Sequence, residues 1–328
     1  MDSFGLYVKS KNDTESEIKL HVNLWELNKD TSYLDFGIWI CEPKNLEALI
    51  FTMPFATDKK NFTDLTDIIC KSSDLTNLIF NRKTSISTSS GKERNSDPIK
   101  VLTIFDKKDI NIKETAYCYS LTEHSINIHG DDYSTVNLNI SQIFTSFIAQ
   151  EPTLRDASLY IRFRIDISNF RSKLLSTIEK NSWGLESGFT RTEIIDFKIN
   201  EPRNMQSNIT KSISKDFHFA KLNRVDFFIM ELAQNQVSSS SIQAECRYLE
   251  DDWKTYLKSN KIPKMIAYQW SKSKKDKDED FFSYNKLIKI VYSATNCKRV
   301  LAYLSVVSII SIISGIISSL ILSCTQKL

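Results

Sequence analysis

The histidines His124 and His129 are the closest histidine pair in the sequence, and Asp131 and Asp132 follow them. Imidazoles and carboxylates are common ligands of transition metals. Metal ligands on one β-strand must share a face, however, and this requires an even spacing. The two histidines are separated by an odd number of positions, so they lie on opposite faces of a regular strand. We therefore predict no metal site here.

Cationic side chains are dense on two predicted strands of the second half. The members of this set are Arg162, Arg164, Arg191, Lys198 and Arg203. Because arginine binds phosphate and carboxylate groups in a bidentate manner, one hypothesis is a basic face for an anionic ligand. Glu193, Asp196 and Glu201 lie among these cations. Cross-strand ion pairing on a solvated sheet face therefore explains the same residues.

Known catalytic signatures are missing from the sequence. It contains no GxGxxG, P-loop, GxSxG, HExxH or kinase motif. Loops that hold phosphate need backbone without side chains, and the 7 glycines are scattered singly. We therefore predict no catalytic residues and no cofactor, and an enzyme with an unfamiliar site is the third of three functional hypotheses.

Charge and cysteine content exclude further classes. The chain has 328 residues with 43 basic and 40 acidic side chains, and this near-balance predicts no nucleic-acid partner. None of the 6 cysteines forms a CxxC pair. A disulfide scaffold or a structural zinc site is therefore not expected, and the cysteines are interpreted as reduced thiols in a reducing compartment.

The segment 300–323 contains no charged residue and is rich in isoleucine. A helix of this length reaches about 36 Å, which is enough to cross a hydrocarbon core of about 30 Å with some tilt. We predict a single transmembrane helix, with the lipid bilayer as a partner. The alternative is a buried helix of a globular domain.

Flanking charges predict the orientation of this helix. Lys286, Lys289, Lys298 and Arg299 precede the segment, whereas only Lys327 follows it. The positive-inside rule then places the large N-terminal region in the cytoplasm. The N-terminus has neither a basic start nor an apolar run, so no signal peptide is expected. With residues 324–328 as a short tail, the layout resembles that of a tail-anchored protein.

Small residues occupy one face of the predicted transmembrane helix. Ser308, Ser311, Gly315, Ser318 and Ser319 fall within an arc of about 100°. Such a face lets helices approach closely, and we hypothesise that it forms a homo-oligomer. Two alternatives stay open. The helix could be a monomeric anchor whose serines bond to their own backbone, or a wider ring of helices could line a polar pore.

The region before the helix alternates with period two. Alternation is clear over residues 18–24, 34–40 and 159–167, and it predicts half-buried strands. We therefore predict a mainly β or α+β soluble region, a sandwich or mixed sheet with a few helices. Its parts are a β-rich lobe at 1–150 and an α+β lobe at 151–270, which could also be one domain. A charged linker and juxtamembrane amphipathic segment at 271–299 would follow.

Three segments receive more specific predictions. Residues 83–97 are polar and are interpreted as a loop. Residues 242–259 carry apolar side chains at helical spacing and are predicted to form an amphipathic helix. Residues 281–295 either lie at the lipid headgroups as an amphipathic segment or form a last strand or helix of the domain.

These features lead to two further functional hypotheses. The first is a membrane-anchored, non-enzymatic binding or sensing protein whose cytoplasmic β-rich region recognises a protein or small molecule. Its transmembrane helix would localise it and bring copies together. The second is a membrane effector of toxin-like or antiviral type, which assembles and perturbs or permeabilises the bilayer.

Overall fold

The structure is a computed structural model, and its description covers most of the chain. It describes residues 2–11, 14–28, 31–89, 99–106, 111–129, 132–178, 190–239, 244–259, 262–274, 280–293 and 297–325. The chain divides into two units. The first comprises Met1–Leu175, Asp196–Ala233 and Ser239–Leu287, and the second comprises Ser176–Ile195, Gln234–Ser238 and Ile288–Leu328.

The described residues are mainly β-strand. The first ten strands are Gly5–Ser10 (β1), Glu17–Asn28 (β2), Thr31–Ile40 (β3), Leu46–Met53 (β4), Phe62–Asp64 (β5), Thr84–Ser89 (β6), Ile99–Phe105 (β7), Ile112–Cys118 (β8), Ile126–His129 (β9) and Tyr133–Leu138 (β10). The others are Ser158–Asp166 (β11), Leu175–Ile178 (β12), Thr190–Ile199 (β13), His218–Phe219 (β14), Lys221–Leu232 (β15), Gln236–Ser239 (β16), Glu245–Tyr248 (β17), Met265–Ser273 (β18) and Tyr284–Ser293 (β19).

Most of the helices are short. They are Thr66–Ile69 (α1), Ser73–Phe80 (α2), Ile140–Gln150 (α3), Arg171–Leu174 (α4), Ser207–Ser212 (α5), Trp253–Leu257 (α6) and Cys297–Thr325 (α7). Helix α2 begins after Ser72, whose hydroxyl accepts a hydrogen bond from the Asp74 amide. It ends at Asn81, which has a φ of 50°. Both are ordinary devices for satisfying the free backbone groups at helix ends.

The first unit contains two sheets. One has five strands in the order β14-β1-β4-β10-β9. The other has ten strands, nine of them in the order β17-β18-β15-β2-β3-β11-β8-β7-β6, with β5 paired to β11. Its pairs β2–β15 and β8–β11 are parallel, and strands from both sides of residue 150 contribute to it. The division of the soluble region into lobes stays a prediction.

One face of the ten-stranded sheet is apolar and packs on the five-stranded sheet. Leu20, Phe36, Ile161 and Phe163 are buried on this face. The ring centroid of Phe51 on β4 lies 4.6 Å from that of Phe36 and 5.5 Å from that of Phe163. The alternation of apolar side chains thus forms the core of a sandwich, and the predicted mainly β fold class is confirmed.

The opposite face of the ten-stranded sheet carries polar and aromatic side chains. Helices α1, α2 and α6 cover part of it, and together they bury a second cluster that includes Trp25, Trp39, Tyr160, Trp253 and Tyr256. On β2 the alternation of buried and half-buried residues therefore gives way to a continuously buried stretch from Val22 to Glu26. We refer to this side of the sheet as the polar face.

The second unit contains the apolar helix. Val300–Ser323 is long and apolar enough to span a membrane, and none of its most apolar window is buried. These bounds coincide with the predicted transmembrane segment. Strands β12, β13, β16 and β19, which lie partly in this unit, form a four-stranded sheet in the order β12-β13-β19-β16.

The predicted helix at 242–259 is mostly wrong. Within its described part, residues 245–248 form strand β17, and only Trp253–Leu257 is helical. Residues of β17 pair with β18, for example Cys246 with Tyr268. The edge of β18 offers backbone hydrogen bonds to this segment. Pairing with a distant strand therefore outweighs the preference for a helix that the spacing of apolar residues suggests.

Two other segments differ from their predictions for the same reason. Thr84–Ser89, predicted as part of a loop, forms β6 at the edge of β7, and the rest of that loop at 90–97 lies outside the described residues. Residues 281–295 were given two alternatives, an amphipathic segment at the lipid headgroups or a last strand or helix. Tyr284–Ser293 forms strand β19, which agrees with the second alternative. The predicted linker begins inside β18, which continues to Ser273.

Candidate functional site

Arg162 and Arg164 do not lie on a solvated face. Both are on β11, where Arg162 is fully buried and Arg164 is 8% exposed. Pairing of β11 with β3 places Arg162 opposite Gly37 and Arg164 opposite Asp35. Both guanidinium groups are therefore in the interior, on the polar face of the sheet.

The Asp35 carboxylate is the centre of a buried hydrogen-bond network. It accepts from Arg164 Nε at 2.7 Å and from Arg164 Nη2 at 2.9 Å. The Trp25 indole donates to it at 2.8 Å, and the Tyr256 hydroxyl donates at 2.7 Å. A buried carboxylate is expensive unless it is paired and hydrogen-bonded, and here both conditions are met.

Arg162 has neutral partners. Its Nε donates to the Tyr256 hydroxyl at 2.7 Å and its Nη1 to the Tyr160 hydroxyl at 3.0 Å. In the amide orientation that satisfies both groups, the Asn23 side-chain oxygen accepts from Nη2 at 2.9 Å. Burial opposes the charged form, but nearby oxygens of Tyr160, Tyr256 and Asp35 outweigh it, and the pKa of Arg162 lies above its usual value. Asp35 thus pairs directly with Arg164, and its negative charge also stabilises the nearby Arg162.

Gly37 makes room for the Arg162 guanidinium. A Cβ atom at this position would lie 2.5 Å from the Tyr160 hydroxyl oxygen and 2.9 Å from Arg162 Nη1. These two groups are hydrogen-bonded to each other and buried. A side chain on residue 37 would therefore have to displace them.

The other predicted cations lie elsewhere. Lys198 on β13 pairs with Asp196 at 2.7 Å, and Arg203 is 93% exposed with its Nε 3.9 Å from Glu201. The side chain of Arg191 lies outside the described residues. The anionic-ligand face formed by these residues together stays a prediction, but its two central members are buried.

An open cleft of about 410 Å³ adjoins this network on the polar face. Lys19 and His21 of β2, Trp39 of β3, Phe80 of α2 and Asp226 of β15 all line it. Strand pairing brings these side chains together. Strand β2 is paired with β3 on one side and with β15 on the other, so His21 lies opposite Gly37 and opposite Asp226. We refer to this cavity as the His21 cleft.

Aromatic rings form one wall of the His21 cleft. The imidazole of His21 meets the Phe80 ring edge-on at 5.4 Å, and Trp39 meets Phe80 at 5.9 Å. The Lys19 ammonium lies 5.8 Å from the centre of the Trp39 ring. Rings in this geometry stabilise one another and present apolar surface to the cavity.

Asp226 is the anionic centre of the cleft. Arg224 donates to it from Nε at 2.6 Å and from Nη2 at 2.9 Å, and Gln269 donates at 3.0 Å. The Ser271 hydroxyl donates as well. Burial alone would raise the pKa of Asp226, but the bonds from Arg224 and Ser271 and the nearby His21 lower it overall. This carboxylate is ionised and already well supplied with donors.

His21 is held neutral beside this carboxylate. Its Nε2 lies 3.5 Å from Asp226. Burial lowers the pKa of His21 to about 4, because the attraction of Asp226 does not compensate for lost hydration and for the cations Arg162, Arg224 and Lys19. The other ring nitrogen, Nδ1, is buried and has no hydrogen-bond partner among the described residues. A buried acceptor without a donor is uncommon in folded proteins.

Two cations lie at the cleft without a carboxylate partner in the described ranges. Arg82 follows the end of α2 and Lys113 lies on β8. By contrast, Lys19 is paired with Glu114 at 2.6 Å. The cleft therefore combines an aromatic wall with a mostly polar and charged lining, in which these two cations have no described carboxylate partner.

A second cleft of about 830 Å³ lies near α3 and β8. It is lined mostly by neutral polar side chains, with the paired charges Asp67 and Lys100. Cys118 also lines it and shares a hydrogen bond with Cys70. This bond holds the pKa of the Cys70 thiol below its usual value, although burial opposes the shift. No group of three metal-ligating side chains occurs among the described residues.

Sequence reasoning missed the members of the His21 cleft. His21 has no other histidine near it in the sequence, and Asp226, Phe80 and Trp39 belong to no known motif. His21 and Asp226 are far apart in sequence and meet only through the parallel pairing of β2 with β15. Polar residues at alternate positions of β2 and β15 are the single sequence signal that could have suggested a shared face.

Comparison with known proteins does not identify a family. No family model and no curated protein matches the chain. Two solved structures of an M1 zinc metallopeptidase from Deinococcus radiodurans match 87% and 88% of this chain at 7% and 8% identity. Both have a TM-score of 0.26, and the match covers 42% of each metallopeptidase chain. This chain therefore spans less than half of those proteins.

A further match is the Mu homology domain of Fcho1 from Danio rerio with a bound Eps15 peptide. The identity is 10% and the TM-score is 0.16, and the match covers 89% of this chain and 81% of that chain. At such TM-scores these similarities support no argument about fold or function.

Proposed function

We propose that the protein is a single-pass, membrane-anchored and non-enzymatic binding protein. Its β-rich region would lie on the cytoplasmic side of the membrane and bind a protein or small molecule. The helix Val300–Ser323 would hold it there and bring copies together. The observation that carries this proposal is the complete lack of burial of the most apolar window of that helix.

Exposure of this helix is costly in water. Leu301, Ile312 and Leu320 are each at least 60% exposed, and no charged side chain interrupts the segment. A contiguous apolar surface of this length far exceeds what soluble proteins leave uncovered. A bilayer covers it at no cost in unpaired backbone groups, because a helix satisfies its own hydrogen bonds.

Charges around the helix support the cytoplasmic orientation. Lys286 is buried on β19 and lies 5.1 Å from the centre of the Trp270 ring, so it contributes little to the membrane surface. Lys289 is exposed on the same strand, and Lys298 and Arg299 immediately precede the span. These three cations outnumber Lys327 on the other side, and the rule for cationic loops then favours a cytoplasmic domain.

Self-association is proposed through the face formed by Ser308, Ser311, Gly315, Ser318 and Ser319. The hydroxyls of Ser308 and Ser311 donate to carbonyls of the preceding turn at 2.8 Å and 2.9 Å. Ser319 does the same at 3.0 Å. Because these hydroxyls are already satisfied, association would depend on the close approach that small side chains allow.

Alkaline extraction tests the anchor. The full chain should stay in carbonate-washed membranes, and protease added to sealed inverted vesicles should digest the β-rich region. The double substitution Ile312→Lys and Ile313→Lys places two charges at mid-span and should release the chain, since each costs several kcal/mol there. The matched control Ile312→Val with Ile313→Val should stay bound. Release of the wild-type chain would refute the proposal.

Cross-linking in membranes tests the association. The wild-type chain should give dimers or larger species, and Ser308→Leu with Ser311→Leu and Ser318→Leu should give monomers. Ile309→Leu with Ile312→Leu and Ile316→Leu is a matched control on other parts of the helix and should behave as wild type. Dye release from vesicles that contain the wild-type chain, but not the triple serine variant, would instead favour a pore-forming effector.

A further inference from the structure

We propose that the His21 cleft binds a small, flat aromatic molecule that carries an anionic group. This inference deepens the proposed function, since it specifies the ligand class of the β-rich region. It depends on four observations: the size of the cavity, its aromatic wall, an unused hydrogen-bond acceptor and uncompensated positive charge. Each of these constrains the ligand in a different way.

Cavity size and wall composition indicate a single ring system. The volume of about 410 Å³ lies within the range of small-molecule sites, roughly 300–1,000 Å³. Phe80 and Phe228 line the cleft and are only half-buried. Their rings therefore keep apolar surface that a flat ring can cover, and aromatic pairs gain additional stabilisation from stacked or edge-on contact.

The unpaired ring nitrogen of His21 indicates that the ligand ring carries a hydrogen-bond donor. His21 is neutral at neutral pH, and its Nδ1 is buried without a partner in the described part of the chain. The Nε2 atom faces Asp226 at 3.5 Å, which places the proton of the neutral ring on that side. Because Nδ1 is itself covered by protein, the imidazole has to turn toward the cleft before an N–H or O–H group of a ligand donates to this atom and removes an unsatisfied buried group.

Charge indicates that the ligand is an anion. Lys19, Arg82, Lys113 and Arg224 line the cleft, against the carboxylates of Glu114, Asp226 and Glu245. Arg224 and Lys19 are committed to ion pairs, whereas Arg82 and Lys113 have none with described carboxylates. Behind the cleft, the buried Arg162 adds positive charge, and within the described ranges no carboxylate forms a direct ion pair with it. A phosphate or carboxylate on the ligand would meet this surplus.

Isothermal titration of the full chain in detergent micelles tests the proposal with four probes. Adenosine monophosphate and indole-3-acetate each combine an aromatic N–H donor with an anion, as phosphate and as carboxylate respectively. Adenosine supplies the aromatic ring and its N–H donor without the anion, and inorganic phosphate supplies the anion without the ring. At least one of the first two should bind saturably, and adenosine and inorganic phosphate should each bind about tenfold more weakly than that probe, or worse. The preferred probe identifies the source of the anion.

Substitutions locate the binding. Arg82→Gln with Lys113→Gln should weaken the preferred probe about tenfold, because each removes a cleft charge that lies outside the buried core. His21→Phe should weaken it similarly, since it keeps an aromatic ring and removes the acceptor. The matched control Lys59→Gln with Lys71→Gln removes two exposed cations that do not line the cleft, and it should bind as wild type.

Three outcomes would overturn the proposal. These are no binding of adenosine monophosphate or indole-3-acetate at millimolar concentration, equal binding of adenosine and adenosine monophosphate, and binding that both cleft variants leave unchanged. Circular dichroism of each variant verifies that it is folded. These results are independent of carbonate extraction and cross-linking, so failure here would leave the proposed membrane anchor intact.

Discussion

The two faces of strand β3 are both buried, but one is apolar and the other is polar. Leu34, Phe36, Ile38 and Ile40 point to the sandwich core and are at most 1% exposed. On the other face, Asp35 is fully buried and Gly37 lies against the Arg162–Tyr160 pair. One face is stabilised by apolar area and tight packing, and the other by a closed set of hydrogen bonds and ion pairs.

This difference predicts different responses to mutation. An apolar face loses stability in proportion to the volume removed, so small changes have small effects. A buried polar network is stable only when every member is satisfied, so the loss of one charge is severe even if the shape is kept. Such networks contribute little net stability compared with apolar packing.

The largest effect is expected for Asp35→Asn. The substitution keeps the shape but removes the carboxylate that pairs with Arg164, and with it the negative charge that stabilises both buried guanidinium groups. We expect a loss of about 3–5 kcal/mol in the free energy of unfolding. Urea unfolding of the full chain in detergent, followed by tryptophan fluorescence, measures it.

A surface pair is the control for this prediction. Asp58 pairs with Lys60 at 2.8 Å, and the two side chains are 61% and 77% exposed. Asp58→Asn should cost less than about 1 kcal/mol, because water screens exposed pairs. If Asp35→Asn were equally mild, the polar face would not be the closed ionic network described above.

The two faces also differ in how well the sequence predicts them. The apolar alternation of β2, β3 and β11 predicted the strands and the sandwich core, and the uncharged run predicted the bounds Val300–Ser323. The polar face looks solvated in sequence, because a buried Asp35 or Arg162 is recognisable only when its partners are known. Tyr256 reaches them from a distant helix, and Asp226 reaches His21 through strand pairing. Which distant strands and helices come together is not encoded in local periodicity.

A second prediction concerns the pH dependence of stability on the polar face. The pKa of His21 is lowered from 6.5 to about 4 by burial and neighbouring cations. Between these values the unfolded chain binds a proton that the folded chain does not, so protonation favours unfolding. The stabilisation from His21 is complete above pH 6.5 and is lost as the pH falls toward 4, by up to about 3 kcal/mol.

Comparison with His21→Phe isolates this effect. Phenylalanine does not titrate, so the difference in unfolding free energy between wild type and variant should shift by up to about 3 kcal/mol from pH 7 to pH 4. Above pH 6.5 the difference should be constant. A pH-independent difference would show that His21 titrates with a similar pKa in both states, and would thus remove the buried neutral imidazole from the cleft.

A third, smaller effect is expected for Gly37→Ala. The new Cβ would lie 2.5 Å from the Tyr160 hydroxyl oxygen, so the network must shift to admit it. Overpacking of this kind costs about 1–3 kcal/mol. Combining it with Tyr160→Phe removes the clashing oxygen, and the double variant should lose less stability than the sum of the two single losses. Strict additivity would show that Gly37 is not needed as the space for this pair.

The smallest effect is expected on the apolar side of the same strand. Ile38 is 1% exposed and lies between Leu20 and Ile161, so Ile38→Val removes one methylene from the sandwich core. The cost should be about 0.5–1.5 kcal/mol, since no polar group loses a partner. Urea unfolding under the conditions used for Asp35→Asn allows a direct comparison. Because Ile38 lies next to Gly37 in sequence, a loss as large as that of Asp35→Asn would mean that sensitivity belongs to the whole strand rather than to its polar face.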